Sequence, residues 1–270
     1  NMNLNKFLIC LGILTLSPFT INAQWMQQKF ELKGGWNAIF LHVDASHERV
    51  LDTIGSSSSR IQRIFAWDPP SSLQYLDSPQ EPLSNVPWRR WDINSPNDSE
   101  LISLIGNRAY LMELNGNESD SHTLNITGRP VPPRYQWRST GLNLIGFSTP
   151  SNGGPNFSDY LKYAPELANN ADIYSYTNGE INPVRLIRLG ANTVNRGQAY
   201  WVRGNQNQYN NYYGPVKISL QDPYGVHFGN NSSFYSIYLT NETNEDVEVL
   251  IKSRTDTKDA PPGQPVHMNG

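Results

Sequence analysis

Chemistry requires groups that can move a proton, hold a metal or attack a carbon. This 270-residue chain offers five histidines, one cysteine and 24 carboxylates. The histidines are His42, His47, His122, His227 and His267. None makes a metal-binding spacing with another: there is no HExxH, and His42 with His47 is i, i+5, off one helical face. Asp44 and His47 meet a metal only by chance; a solvated loop is the plainer account of them. Glycoside hydrolysis needs two carboxylates at a set separation in space, which spacing along a chain leaves open. The candidates Asp68, Asp92, Glu113, Asp172 and Glu180 each fall at a strand end or turn, where a solvated carboxylate is ordinary. No Gly-x-Ser-x-Gly elbow, Walker loop or Gly-x-Gly-x-x-Gly is present. Residues 225–229 read as a turn into a strand, and residues 115–120 lack the glutamate an EF-hand needs at its twelfth position. The reading is a chain with no catalytic residue, metal site or cofactor.

Aromatic residues offer more. Exposed Trp and Tyr rings stack on the apolar faces of sugars with little loss of entropy. The candidate ligand-binding residues are Trp88 and Trp91 in one long connection, and Tyr209, Tyr212 and Tyr213 in "NQNQYNNYYG". Both sets lie among Asn, Gln and Arg, which can bond to hydroxyls. The alternative is that Trp88 and Trp91 pack their loop onto the preceding strands and that Tyr212 merely begins another, since large aromatics usually end mostly buried.

The elements that would position these groups follow from composition and pattern. Charged residues are 17% and aromatic residues 11% of the chain, with 20 Gly and 19 Pro; this favours a turn-rich β protein over a helical one and supplies ample material for a core. Lys6 and the apolar run 7–16, then Pro18 and "INA", read as a signal peptide over residues 1–23. No other apolar run is long enough for a membrane span. Cys10 lies inside that run behind Ile9, which is too large for a lipoprotein signal, so the exported chain holds no cysteine and must rely on its core. The sequons at Asn117, Asn125 and Asn241 are then incidental. Loss of Lys6 takes the net charge from −3 to −4. With no basic cluster left, nucleic-acid binding is excluded.

One phrase occurs twice: "GNRAYLMELNG" at 106–116 and "GQAYWVRG" at 197–204, each with a glycine shortly ahead of an alanine–tyrosine pair (Ala109 and Tyr110, Ala199 and Tyr200). Upstream of each stands Gly-x-Asn running into apolar residues, at Gly35 and Asn37 and at Gly141 and Asn143. A short helix follows in both, through Val50, Leu51 and Ile54 and through Phe157, Tyr160, Leu161 and Ala164. Then come aromatic-bearing strands at 61–68 and 171–180, the second with a type I′ turn pair at Asn178 and Gly179. The glycine ahead of Ala-Tyr sits where a side chain would clash. Leu124 and Ile126 alternate with polar neighbours in a further strand, "RPVPPR" acts as a stiff linker, and Val216, Ile218 and Leu220 alternate likewise. Two β-rich repeats are expected, at 24–129 and 130–213.

From 214 the style changes. Tyr235, Ile237 and Leu239 share one strand face and Val247, Val249 and Ile251 the facing one, as in the opening hairpins of an immunoglobulin-like sandwich. Such a sandwich needs about 100 residues, so 214–270 is expected to be its truncated start.

The segments "PVPPRYQWRSTGLNLIGFST", "GQAYWVRG", "YYGPVKISL" and "YGVHFGN", followed by "IYLTNETNEDVEVLI", resemble the N-terminal repeat region of large exported bacterial proteins that often carry LamG (concanavalin-like) domains. The resemblance is strongest over 130–251 and looser over 25–116. It implies a secreted or cell-surface scaffold and supplies no catalytic residues. The expected fold class is thus mainly β with short helices (β-rich α+β): two tandem β-rich repeats, then a partial immunoglobulin-like β-sandwich. The expected function is a non-enzymatic exported scaffold or adhesion protein whose partners are extracellular polysaccharide or other surface proteins. A carbohydrate-binding module is the alternative and a glycoside hydrolase the third reading.

Overall fold

The computed structural model describes residues 25–67, 88–133, 140–150, 153–164, 167, 172–205, 215–221 and 234–251. The chain is mainly β, with several antiparallel sheets and a few short helices. In order come β1 (Met26–Lys33), β2 (Gly35–Phe40), β3 (Val43–Asp44), α1 (Val50–Ile54), a 3-10 turn at Gly55–Ser59, β4 (Ile61–Ala66), β5 (Arg89–Asp92), β6 (Ala109–Leu114) and β7 (Ser121–Pro130). There follow β8 (Thr140–Gly146), α2 (Phe157–Tyr160), β9 (Asp172–Ser175), β10 (Val184–Arg185), β11 (Ala199–Asn205), β12 (Val216–Leu220) and β13 (Ile237–Asn241).

Two four-stranded antiparallel sheets dominate, with strand orders β2-β6-β4-β5 and β8-β11-β9-β10. Their registers agree as well. Phe40 faces Ala109 and Gly146 faces Ala199; three residues back, Asn37 faces Met112 and Asn143 faces Val202. β6 and β11 are central strands, and their unbroken apolar runs are buried on both faces, as expected for strands covered from two sides.

One face of each sheet meets the other in a shared core of Ala38, Phe40, Phe65, Trp67, Trp88 and Leu111 against Leu142, Leu144, Tyr176, Ala199 and Trp201. The outer face of the first sheet packs Ile64, Tyr110 and Met112 under α1 and the β1–β7 ribbon. Within that ribbon Phe30, Leu32, Leu124 and Ile126 point inward while their neighbours alternate out. The outer face of the second sheet packs Ile173, Tyr200 and Val202 under α2 through Phe157, Leu161 and Ala164. At about 1.5–3 kcal/mol for each large side chain buried, these three clusters are the main source of stability in a chain without disulfides.

Several expectations are corrected. α1 buries Val50 and Ile54 but leaves Leu51 exposed. The N-cap of α2 is Asn156, whose side chain accepts the Asp159 N–H at 2.8 Å. The start of "RPVPPR" is no free linker: Arg129 and Pro130 belong to β7, paired with Asp44 and Val43, and Asn107 donates to the Pro132 carbonyl at 2.7 Å. β12 forms but its burial does not alternate, with Ile218 exposed and Val216 and Leu220 half-buried, and it pairs with β13, whereas β7 pairs with β1 and β3. Residues 246–251 form no strand, although Val247, Val249 and Ile251 alternate; the β12–β13 ribbon gains no third strand among the described residues.

Candidate functional site

The aromatic residues singled out from sequence divide sharply. Trp91 is 2% exposed and lies in the outer core of the first sheet; Trp88 is 8% exposed and lies in the shared core. Neither presents a ring face to solvent, so the expectation of an exposed stacking pair is overturned for both. The cause is the register of β5: Trp91 faces Ile64 of β4, a position whose side chains point under the ribbon, while Trp88 projects to the opposite side against Trp67. Tyr209, Tyr212 and Tyr213 lie outside the described residues.

The shared core is the most concentrated aromatic feature. Trp67, Trp88 and Trp201 form a triangle with ring centroids 5.2, 5.2 and 6.0 Å apart. Tilted and edge-on pairs of this kind add about 0.5–1.5 kcal/mol each beyond burial. Trp201 Nε1–H donates to the Tyr176 hydroxyl at 2.9 Å, and burial raises the Tyr176 phenol well above its ordinary value. Trp67 Nε1 finds no partner. These buried rings weld the two sheets together.

The marks of the repeated phrase sit at matching places. The hydroxyl of Tyr110 accepts the Ile105 N–H at 2.7 Å and donates to the Ile105 carbonyl at 3.1 Å. That of Tyr200 accepts the Asn195 N–H at 3.0 Å. Burial raises both phenols, Tyr200 to about 12. The residue two before each alanine is left-handed: Asn107 at φ 57° and Gly197 at φ 82°. The feature in common is therefore this backbone conformation, open to Gly and tolerated by Asn, rather than the glycine itself. Gly106 answers a different need, since a Cβ there would lie 2.6 Å from Val131 Cγ2. Asn37 clamps the β1–β2 turn, donating to the Lys33 carbonyl at 2.8 Å and accepting its N–H at 2.9 Å. Gly35 is left-handed at φ 86°, and Asn143 is buried, donating to the Val202 carbonyl at 3.4 Å. Gly141 pairs with Gly204 on β11.

The carboxylates are held by cations or turns. Across the first sheet Trp36, Glu113, Arg63 and Asp92 fall in one row. Arg63 bonds Glu113, with its guanidinium 5.7 Å from the Trp36 ring centroid, and Arg90 bonds Asp92. The Asn94 N–H, then Arg90, hold the Asp92 carboxyl below its ordinary value. In the second sheet Arg185 bonds Asp172. A general acid needs a carboxyl whose value is raised, and Asp92 is shifted the other way. Glu180 is exposed on a turn, and Asp68 lies outside the described residues. Asp44 is buried against Ser46, the Gly106 N–H and Arg129. No group of three or more His, Cys, Asp or Glu gathers among the described residues in a way that could hold a metal ion.

A cavity of about 340 Å³ lies between α2 and β12, walled by Pro133, Pro155, Tyr160, Tyr163, Val216 and Ile218. Its polar lining is Ser148, Asp159, Tyr160 and Tyr163; the Tyr160 hydroxyl donates to the Ser148 carbonyl at 3.3 Å, and Asp159 accepts from Asn156 at 2.7 Å. Ligand pockets use a few convergent polar groups to fix orientation, and two of those here are tied to neighbouring residues.

The class defined by these observations is a mainly β protein of antiparallel sheets welded by an aromatic seam. No family model, curated protein or solved structure matches the chain. No helix among the described residues is long and apolar enough to cross a membrane.

Proposed function

We propose that this chain is a non-enzymatic exported scaffold of the kind its resemblance implies, built of two tandem β-rich modules and the opening strands of an immunoglobulin-like unit. One observation carries the reading: the two four-stranded sheets have the same strand order and the same register at Asn37 and Ala109 and at Asn143 and Ala199. Matched architecture with unlike side chains at equivalent places is what duplication of a structural unit produces. Phe65 pairs with Leu111 where Tyr174 pairs with Trp201, and Arg63 with Glu113 where Asp172 pairs with Arg203. A charge pair whose polarity reverses between the sheets serves cross-strand pairing equally well either way, whereas a catalytic pair would not survive the exchange.

The carbohydrate alternative loses Trp88 and Trp91 to the interior, and the hydrolase reading gains no raised carboxyl among the described residues. The test is a paired assay on the purified chain: retention on a panel of insoluble polysaccharides, and release of reducing sugars from the same panel. The scaffold reading expects neither, together with recovery of the chain outside the cytoplasm when it is expressed with residues 1–23. Retention abolished by changing Tyr209, Tyr212 and Tyr213 to Ala, or sugar release abolished by one Asp-to-Asn or Glu-to-Gln change, overturns it.

A further inference from the structure

β10 is the outer strand of the second sheet, so one of its edges is unpaired among the described residues. Unpaired edges are templates for added strands, and proteins usually blunt them. This one is apolar as well as basic. Val184 is 55% and Ile187 89% exposed, the latter the most exposed large apolar residue described, and Arg185 and Arg188 flank them. Leu186 donates its N–H to the Ile173 carbonyl on the inner side, which turns the backbone groups of Arg185 outward; Ile187 follows at a bend just past the strand.

The chain also holds a segment of opposite character. Residues 246–251, "DVEVLI", alternate as a strand does yet pair with nothing described, and Val249, Leu250 and Ile251 are 42%, 72% and 45% exposed. Asp246 and Glu248, with Glu245 just before, make it acidic. Charge is thus complementary between an edge and a segment that are both unpaired among the described residues, and each also carries exposed apolar residues.

We propose that residues 184–188, β10 and the residues just after it, take residues 245–249 of a second copy of this chain as an added antiparallel strand. The register is set by side-chain type. Arg185 faces Glu248, Arg188 faces Glu245, Val184 faces Val249, Leu186 faces Val247 and Ile187 faces Asp246. The outward-turned groups of Arg185 then form the hydrogen-bonded pair with Glu248. Because the two surfaces differ, the contact is head-to-tail and builds open chains of copies unless a ring closes. The contact stands independently of the scaffold reading, since it rests only on the edge and the segment.

The test is sedimentation of the full chain from about ten micromolar to one millimolar. Concentration-dependent association that weakens with salt is expected. Ile187→Asp, which sets two carboxylates face to face, weakens it about two- to fivefold, and Ile187→Lys, facing Asp246, strengthens it by a similar factor. Both changes lie at an exposed position, so an unchanged thermal midpoint shows that the fold is intact. Arg188→Glu and Glu245→Arg each weaken association alone, and an equimolar mixture of the two restores it. A chain that stays monomeric at one millimolar overturns the proposal. So does equal weakening by the Ile187 pair, the signature of a nonspecific apolar patch, or failure of the mixture to associate.

Discussion

Tyr110 and Tyr200 hold their strands in the same way: each hydroxyl accepts the backbone N–H of the residue five earlier, Ile105 at 2.7 Å and Asn195 at 3.0 Å. Both rings are almost fully buried, in separate cores. Removing either hydroxyl leaves a backbone donor without its partner inside the protein, at about 1–3 kcal/mol. Tyr110→Phe and Tyr200→Phe are each expected to lower the free energy of unfolding in urea by that order. Each hydroxyl also donates a second bond, Tyr110 to the Ile105 carbonyl at 3.1 Å and Tyr200 to Gln198 Oε1 at 3.0 Å, so the two losses are expected to be similar. The double variant should be additive within about 0.5 kcal/mol, as expected of sites without shared partners.

The tryptophan triangle separates a structural role from a binding one. Trp88→Ala and Trp201→Ala are each expected to cost about 3–5 kcal/mol, as for other buried aromatic deletions. Changing both should cost less than the sum, because the rings touch. Denaturant titration checks this. Full stability in Trp88→Ala would place that ring at a surface instead.

Gly35 and Gly179 meet where the first sheet touches the turn that follows β9. The Gly179 carbonyl accepts the Trp36 N–H at 2.7 Å, and a Cβ on Gly179 would lie 2.1 Å from the Gly34 carbonyl oxygen. Both glycines are left-handed, at φ 86° and 71°. Gly55 is left-handed too, at φ 50°, but its Cβ would enter open space. Its ψ is −125°, so Gly55→Ala is expected to cost only the roughly 1–3 kcal/mol of backbone strain. Gly179→Ala should cost clearly more, because backbone must move as well. Thermal midpoints of the two variants compare them directly.

His42 introduces a pH dependence. Its ring is buried, its Nε2 has no hydrogen-bond partner, and burial, aided by the charge of Arg196, pushes it down to about 3. In the unfolded chain the imidazole protonates near 6.5. Between those values the unfolded state binds a proton that the folded state refuses. Stability is therefore full above pH 6.5 and falls as pH drops toward 3, at about 1.4 kcal/mol per pH unit once the unfolded histidine is charged. Carboxylates held below their ordinary values, such as Asp92, add to the loss only at lower pH. His42→Gln is expected to flatten the urea midpoint between pH 6.5 and 5; an unchanged slope would show that His42 is not its source.

Much of this arrangement was legible in the chain. Gly-x-Asn, the Ala-Tyr pairs and the left-handed Asn178 and Gly179 (φ 56° and 71°) announced strands and turns that form where expected. Local signals of this kind survive because they depend on a residue and its near neighbours. Exposure depends on more. Trp88 and Trp91 stand among charged residues in a long connection, and nothing within that stretch says which sheet face β5 offers them. The run 246–251 alternates well enough for a strand but forms none, because a strand exists only where another lends it hydrogen bonds.

The chain by itself determined the mainly β character and the strands that carry the Ala-Tyr pairs, since backbone preference and period-two alternation are properties of short segments. Only the tertiary structure decided that the sheets lie face to face on a tryptophan seam and that Arg63 and Arg90 hold Glu113 and Asp92. It alone also left the β10 edge and residues 246–251 unpaired among the described residues. Each of these joins residues distant in the chain, and such contacts are selected by the packing of whole faces against one another, which no local pattern encodes.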